Sequence, residues 1–342
     1  MKPLSLFLIL TALTGCASPF NKPQKLTYPH NDRIQKIVDW EVSLSTKSLH
    51  PKSIAVVVEE PKTGKILAMS GPVIGDMLEP GSTFKPFVMA AALQEGKITG
   101  KTEIFCENGA WNLYGKKIRD HHGSGNLTLN EILQKSSNIG ASKIGMMLDD
   151  KTFDHYVRQF GFGEKTGIAV ADEIPGLVNP PQRWDHLTKA RNSFGQSIAV
   201  TPIQLAMAYG ALANGGKLMK PVIGREKPVE IRKVVSKGVA DEVKRALQGC
   251  VSDQGTAPLA KVDGVSVGGK TGTAQLITPT GGYYEDRFVT SFAGFFPVES
   301  PEYVIVVVVT DAPLPTETNY GGLVAAPIFS RIATKISKLD KR

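Results

Sequence analysis

An α+β fold, with an antiparallel sheet flanked by helices and a helical lobe inserted between its strands, is what the periodicity of apolar residues predicts. Three observations carry this. Two strand-like runs joined by a turn stand early in the chain, a long middle section has helical spacing, and three more strand-like runs lead into a final helix. The composition agrees: 342 residues, 42% hydrophobic and 21% charged, supply enough apolar surface for a sizeable core and exclude disordered and fibrous classes.

Residues 1–16 stand apart from that fold. Lys2 precedes an apolar stretch from Leu4 to Leu13, too short to span a bilayer as a permanent helix and typical of a signal peptide. It ends Leu13-Thr14-Gly15-Cys16, which resembles the bacterial lipobox, so Cys16 is expected to carry lipid and hold the mature chain on a membrane. Ala17 and Ser18 are not the Asp that commonly retains lipoproteins at an inner membrane, which favours the outer membrane in a host that has two. Residues 17–29, with Pro19 and Pro23 and no apolar periodicity, read as a tether, leaving 30–342 as the folded domain. No other run approaches a transmembrane span, since Val304 to Val309 is only strand length.

Within the domain, Ile34, Ile37, Val38 and Trp40 form a helical stripe. Ile54 to Val58 and Ile66 to Met69 read as strands, joined in a hairpin at Pro61-Lys62-Thr63-Gly64. Pro80 and Gly81 announce a helix from about Ser82 through Ala92, with Pro86 tolerated in its first turns. From Ile98 to Asn214 the spacing predicts helices at Leu129 to Gln134, Gly140 to Leu148 and Ile203 to Ala213, with few strand signals. A helix at about Val239 to Gly249 follows. Strands are expected at Val265 to Ala274, Phe288 to Phe296 and Tyr303 to Thr310, then a helix from Ala325 to Ile336. Export would place Cys106 and Cys250 where a disulfide can form, although Cys250 would serve equally as a small buried hydrophobe.

Ser82 and Lys85 lie three apart at a helix start, a spacing that puts hydroxyl and amine on one face. A serine hydroxyl is a poor nucleophile until a base takes its proton, and a desolvated lysine near other cations can be neutral enough to act as that base. The pair alone is a weak signal, because chance supplies such spacings in a chain this long. Two further motifs support it, Ser136-Ser137-Asn138 and Lys270-Thr271-Gly272-Thr273. Their spelling is not unique: Ser124-Gly125-Asn126, Lys62-Thr63-Gly64 and Lys165-Thr166-Gly167 imitate them. Context separates the copies. Lys62 to Gly64 is a hairpin turn upstream of the nucleophile, Lys165 to Gly167 falls in a loop, and Ser124 is flanked by glycine. Ser136 joins two helices, and Lys270 to Gly272 lies in a strand-like run where backbone donors can line a groove edge.

Six ordered blocks, Glu79 to Phe87, Lys135 to Ile144, Val200 to Gly216, Gly255-Thr256-Ala257, Gly269 to Gln275 and Ser291 to Pro297, closely resemble the transpeptidase domain of class B penicillin-binding proteins, over roughly Ser53 to Ile336. The resemblance implies the penicillin-binding protein and serine β-lactamase fold. It also implies covalent capture of peptidoglycan stem peptides ending in D-Ala-D-Ala, and of β-lactams. Ser82 would attack the penultimate D-Ala carbonyl while Lys85 takes its proton. Backbone amides of Ser82 and Thr273 would stabilise the oxyanion, by about 3 to 4 kcal/mol per donor. Ser136 would relay a proton to the departing D-Ala, Asn138 would hold the substrate backbone and orient Lys85, and Lys270, Thr271, Gly272 and Thr273 would line the site for the terminal carboxylate. Class B enzymes normally carry a transmembrane anchor and a large N-terminal pedestal. An acyl anchor and no pedestal are expected here, so partners that dock on a pedestal are not predicted. Gly71 to Leu78, before the nucleophile, is also shorter than in those enzymes.

The net charge of +8 suits a polyanionic cell wall, but Lys and Arg are scattered and make no case for nucleic acid. Asp120-His121-His122 does not read as a metal site, since adjacent histidines point apart and no further Cys or His completes a ligand set. No cofactor is expected. D,D-transpeptidation is the expected activity; the alternatives are a D,D-carboxypeptidase, a β-lactamase, for which no convincing omega-loop Glu is found although Glu173 is nearby in sequence order, and a penicillin-sensing lipoprotein without turnover.

Overall fold

The computed structural model describes residues 31–278, 282–313 and 320–339. The signal peptide, Cys16 and the tether lie outside the described residues. Helix α1 (Asp32–Leu49) begins at Asn31, whose side-chain oxygen accepts from the N–H groups of Arg33 and Ile34. Ile34, Val38, Glu41 and Ser45 form its buried stripe. Trp40 departs from the expected stripe and is 64% exposed. Strands β1 (Ser53–Glu60) and β2 (Lys65–Ser70) make the expected hairpin.

The helix expected from Ser82 is split. Gly81–Phe84 is a 3-10 turn, and α2 (Lys85–Gln94) starts only at the lysine. Gly81 has φ +53°, a left-handed conformation that cannot continue into a right-handed helix, while Pro86 fits the first α turn because its missing N–H has no helical acceptor there.

The section expected to hold few strands contains several short ones: β3 (Glu103–Phe105), β4 (Ala110–Leu113), β5 (Lys116–Arg119) and β6 (Asn126–Thr128). At three or four residues each, these are too brief for a period-two pattern to register. Then come α3 (Leu129–Lys135), α4 (Asn138–Met146), α5 (Asp150–Gln159), α6 (Thr188–Asn192) and α7 (Pro202–Ala213). Every residue of α7 is buried, as a helix that is apolar on all sides apart from Gln204 requires, and a capping box between Thr201 and Gln204 starts it. Strands β7 (Lys217–Met219) and β8 (Glu230–Lys233) and helix α8 (Lys237–Gly249) complete the lobe.

The chain then returns to the sheet with β9 (Gly268–Ile277), β10 (Tyr283–Phe296) and β11 (Tyr303–Thr310), and ends in α9 (Gly321–Leu339). The order is β2-β1-β11-β10-β9, every pair antiparallel, with Val57 opposite Val306 and Lys270 opposite Ala293. Alternation then assigns side chains to two layers. Ala55, Val57, Val304, Val306, Val308 and Phe295 face the lobe helices, whereas Val56, Val58, Ile305, Val307, Phe292 and Phe296 pack under α1 and α9. Among them, Phe329 of α9 sets its ring edge to face against Phe292 and Phe296. In this second layer Glu41, 1% exposed, is held by Arg331 at 2.8 Å and by Lys335.

The two edges of the sheet differ. Beside β2, the Ile66 N–H donates to Val222 O and the Val222 N–H to Gly64 O, so chain covers that edge. Strand β9 has only β10 as a sheet neighbour, and its other side faces the Gly81–Phe84 turn. No helix among the described residues is long and apolar enough to cross a membrane.

Candidate active site

The turn before α2 and the edge of β9 form two walls of one cleft. On the first wall, Lys85 is the opening residue of α2 and fully buried. Its Nζ lies 2.9 Å from Ser82 Oγ, 2.6 Å from Ser136 O, 3.1 Å from Ser136 Oγ and 2.8 Å from Asn138 Oδ1. The carbonyl of Ser136 and the amide oxygen of Asn138 can only accept, so two N–H bonds are committed to them. A neutral amine then has one lone pair left, between the hydroxyls of Ser82 and Ser136. Burial holds Lys85 well below the usual lysine range, and the nearby Lys270 cation pushes the same way. Proton abstraction from Ser82 is what this arrangement permits.

Ser136 and Asn138 reach Lys85 because the junction of α3 and α4 is tightly organised. Ser136 closes α3 in the left-handed conformation, φ 60°, and Ser137 caps α4 by accepting the Gly140 N–H at 2.9 Å. Asp120 binds the whole junction. One carboxylate oxygen accepts the N–H groups of Asn138 and Ile139 at 2.6 and 3.0 Å, and the other accepts the Ser137 hydroxyl at 2.5 Å. The Asn138 side-chain NH2 donates to Arg119 O at 3.0 Å, which turns its oxygen toward Lys85. Asp120 is therefore a positioning residue, and its partners lie 17 to 19 residues away with no local pattern to reveal them.

The second wall is built closely against the first. A Cβ on Gly272 would lie 2.3 Å from Ser291 Oγ and 2.7 Å from Pro80 O, so only glycine lets the turn approach this strand. Likewise a Cβ on Gly81 would meet Thr273 O at 3.0 Å. Lys270 is fully buried, its Nζ 3.2 Å from Thr271 Oγ1 and 3.3 Å from Thr271 O. Burial lowers it to about 8. Among the described residues it forms no ion pair. Thr271 donates its hydroxyl to Thr256 Oγ1 at 2.9 Å, and Thr273 Oγ1 accepts from the Gly321 N–H at 3.1 Å. The residues singled out in the domain thus stand on two adjoining parts of the chain: Ser82, Lys85, Ser136 and Asn138 on one side, Lys270, Thr271, Gly272 and Thr273 on the other.

Sequence reasoning missed Glu79. Its carboxylate accepts the Ser197 N–H at 2.8 Å and the Tyr283 hydroxyl at 3.1 and 3.2 Å, joining the segment before the nucleophile to the β10 end of the hairpin. Burial raises its pKa. Two of the imitating motifs are engaged elsewhere. Lys62 to Gly64 lies in the β1–β2 turn, and in the Lys165 to Gly167 loop Glu173 accepts Thr166 N–H and Oγ1 at 2.6 and 2.5 Å and Gly167 N–H at 3.2 Å. Cys106 and Cys250 do not pair. Both are free and buried, with sulfurs 3.4 Å from Ile104 O and 3.2 Å from Leu133 O, and burial pushes the Cys250 thiol up to about 11.

A family model described as the penicillin binding protein transpeptidase domain matches residues 54–334. Stage V sporulation protein D of Bacillus subtilis is 34% identical over 88% of the chain and 52% of its own length. A probable peptidoglycan D,D-transpeptidase PenA of Neisseria flavescens is 31% identical over 88% of the chain and 79% of its own length. The chain spans about half the length of several curated relatives it matches. Among solved structures, the transpeptidase domain of penicillin-binding protein 3 from Burkholderia pseudomallei superposes with a TM-score of 0.86, 32% identity, and 94% and 97% of the two chains covered. Penicillin-binding protein 3 of Mycobacterium tuberculosis, solved with aztreonam, gives 0.83 at 27% identity, covering 91% of this chain and 78% of its own. A match across most of the sheet and lobe, shared by sequence and by architecture, means that the chain belongs to the penicillin-binding protein transpeptidase family.

Proposed function

We propose that this domain is a peptidoglycan D,D-transpeptidase that takes the penultimate D-Ala carbonyl of a stem peptide onto Ser82, releases the last D-Ala and passes the acyl group to the amine of a second stem peptide. The observation that carries it is the environment of Lys85. A buried amine whose N–H bonds are taken by Ser136 O and Asn138 Oδ1 has its lone pair free for the Ser82 proton. The Ser82 oxygen bonds to the carbonyl carbon as Lys85 takes that proton, and the oxyanion receives the backbone N–H groups of Ser82 and Thr273. Ser136, within 3.1 Å of Lys85, returns the proton to the departing D-Ala nitrogen as the C–N bond breaks. Lys270, with Thr271 and Thr273 beside it, is a buried cation awaiting a carboxylate, and both the stem peptide and a β-lactam bring one.

Glu173 lends no support to a β-lactamase, since its oxygens accept from Thr166 and Gly167 in its own loop, and a β-lactam acyl-enzyme should persist. Carboxypeptidase action differs only in water replacing the acceptor amine. Acylation of Cys16, outside the described residues, would place the domain on the extracytoplasmic side of a bacterial membrane. Fluorescent penicillin should label the protein covalently and fail to label Ser82→Ala. Incubation with a defined pentapeptide should release D-Ala and form peptide dimers. A protein that remains unlabelled while folded sinks the proposal, and D-Ala release without dimers converts it to a carboxypeptidase.

A further inference from the structure

On α1 an outward stripe runs through Arg33, Lys36, Trp40, Leu44 and Lys47 at spacings of three and four residues, so these side chains lie along one side of the helix. All five are exposed, Trp40 by 64% and Leu44 by 48%. From α9, Lys335 places its Nζ 6.0 Å from the Trp40 ring centroid. Among the described residues Arg33, Lys36 and Lys47 form no ion pair; Glu41 points inward to Arg331 and Lys335, and the exposed Asp32 and Asp39 beside the stripe leave the outward side of the helix with a net positive charge. Cations flanking an exposed indole and an aliphatic side chain are the composition that settles at a lipid headgroup boundary, where the ring partitions and the cations meet anionic lipid.

We propose that this stripe is a docking face for an anionic membrane surface. The inference rests on acylation of Cys16. Only the 15 residues 17–31 separate that cysteine from α1, a length that reaches at most about 50 Å when fully extended. The helix is thereby held at high local concentration above the bilayer, so a face too small to bind alone can remain docked. Docking also orients the enzyme. Helix α1 belongs to the layer on one side of the sheet and the Ser82 turn to the other, so seating α1 on lipid holds the cleft away from the bilayer, toward the wall polymer.

The test uses the full-length lipoprotein reconstituted into phosphatidylcholine vesicles with and without phosphatidylglycerol, with bromine-labelled acyl chains to quench tryptophan. Quenching should need phosphatidylglycerol and disappear in Trp40→Phe, which leaves Trp111 and Trp184 as internal controls. Arg33→Glu with Lys36→Glu and Lys47→Glu should reduce it to the Trp40→Phe level, since each cation contributes about fivefold to partitioning and three compound to roughly a hundredfold. Unchanged labelling by fluorescent penicillin shows that each variant is folded. Quenching that survives Trp40→Phe, or that is equal in both vesicle types, overturns the proposal, as does a Trp40-dependent dimer in vesicle-free solution. If mass spectrometry finds no acyl group on Cys16, the anchor fails separately. The face is then judged with that chain coupled through the Cys16 thiol to a maleimide lipid in the same two vesicle types, Cys106 and Cys250 being buried, and quenching that does not need both Trp40 and phosphatidylglycerol overturns it.

Discussion

Both layers of this molecule bury charge, and they treat it in opposite ways. Under α1 and α9, Glu41 is met by Arg331 and Lys335, and the cluster joins the N-terminal helix to the C-terminal one. On the cleft side Lys85 and Lys270 are equally buried, yet only neutral oxygens lie within bonding distance of them among the described residues. A buried charge with its counterion holds structure. A buried amine without one is costly in the charged form, and that cost is what makes it a base or a receptor for an incoming anion.

The contrast can be broken at its strongest point by Lys85→Met. Acylation by fluorescent penicillin should fall by about 10²- to 10⁴-fold, the range for losing a general base. The melting temperature should hold or rise, because a desolvated amine has been removed; a large fall would mean that Lys85 is structural after all. Lys270→Gln tests the receptor role and should cost about 10- to 100-fold in acylation efficiency, as expected for one charge-assisted hydrogen bond. The pH profile sharpens this test. Lys270 must be protonated to hold a carboxylate, so efficiency in the parent enzyme should decline as pH rises through about 8, and the decline should vanish in the Gln variant. Asp120→Asn removes the charge from the α3–α4 junction while keeping its shape. It should slow acylation about tenfold, with little change in affinity, because it acts through Ser137 and Asn138. The smallest catalytic effect belongs to the other layer. Glu41→Gln should lower stability by about 1 to 2 kcal/mol in denaturant titrations and leave acylation rates of the folded enzyme unchanged; any slowing would show that the two layers are coupled.

How far the sequence foretold this depends on the range over which each feature is encoded. The five long strands and the α7 helix were legible because each carries its own period, and Ser82 with Lys85 because three residues suffice to pair them. Ser136 to Asn138 and Lys270 to Thr273 needed order and context to be told from their imitators, and both proved to face Lys85 or the Ser82 turn. Asp120 and Glu79 were not legible as positioning residues: the first binds residues 17 to 19 further on, and the second binds Ser197 and Tyr283, 118 and 204 away. The start of α2 at Lys85 was hidden in the left-handed φ of Gly81, which no composition rule announces.

The unequal edges of the sheet have a further consequence. An open edge strand is the usual starting point for aggregation, because its bare amides and carbonyls accept any other strand. Here one edge is covered by the Val222 segment, and the other has the nucleophile's turn packed closely against Gly272 and Thr273. Shielding that edge and holding Ser82 are thus done by one piece of chain, the Gly81–Phe84 turn.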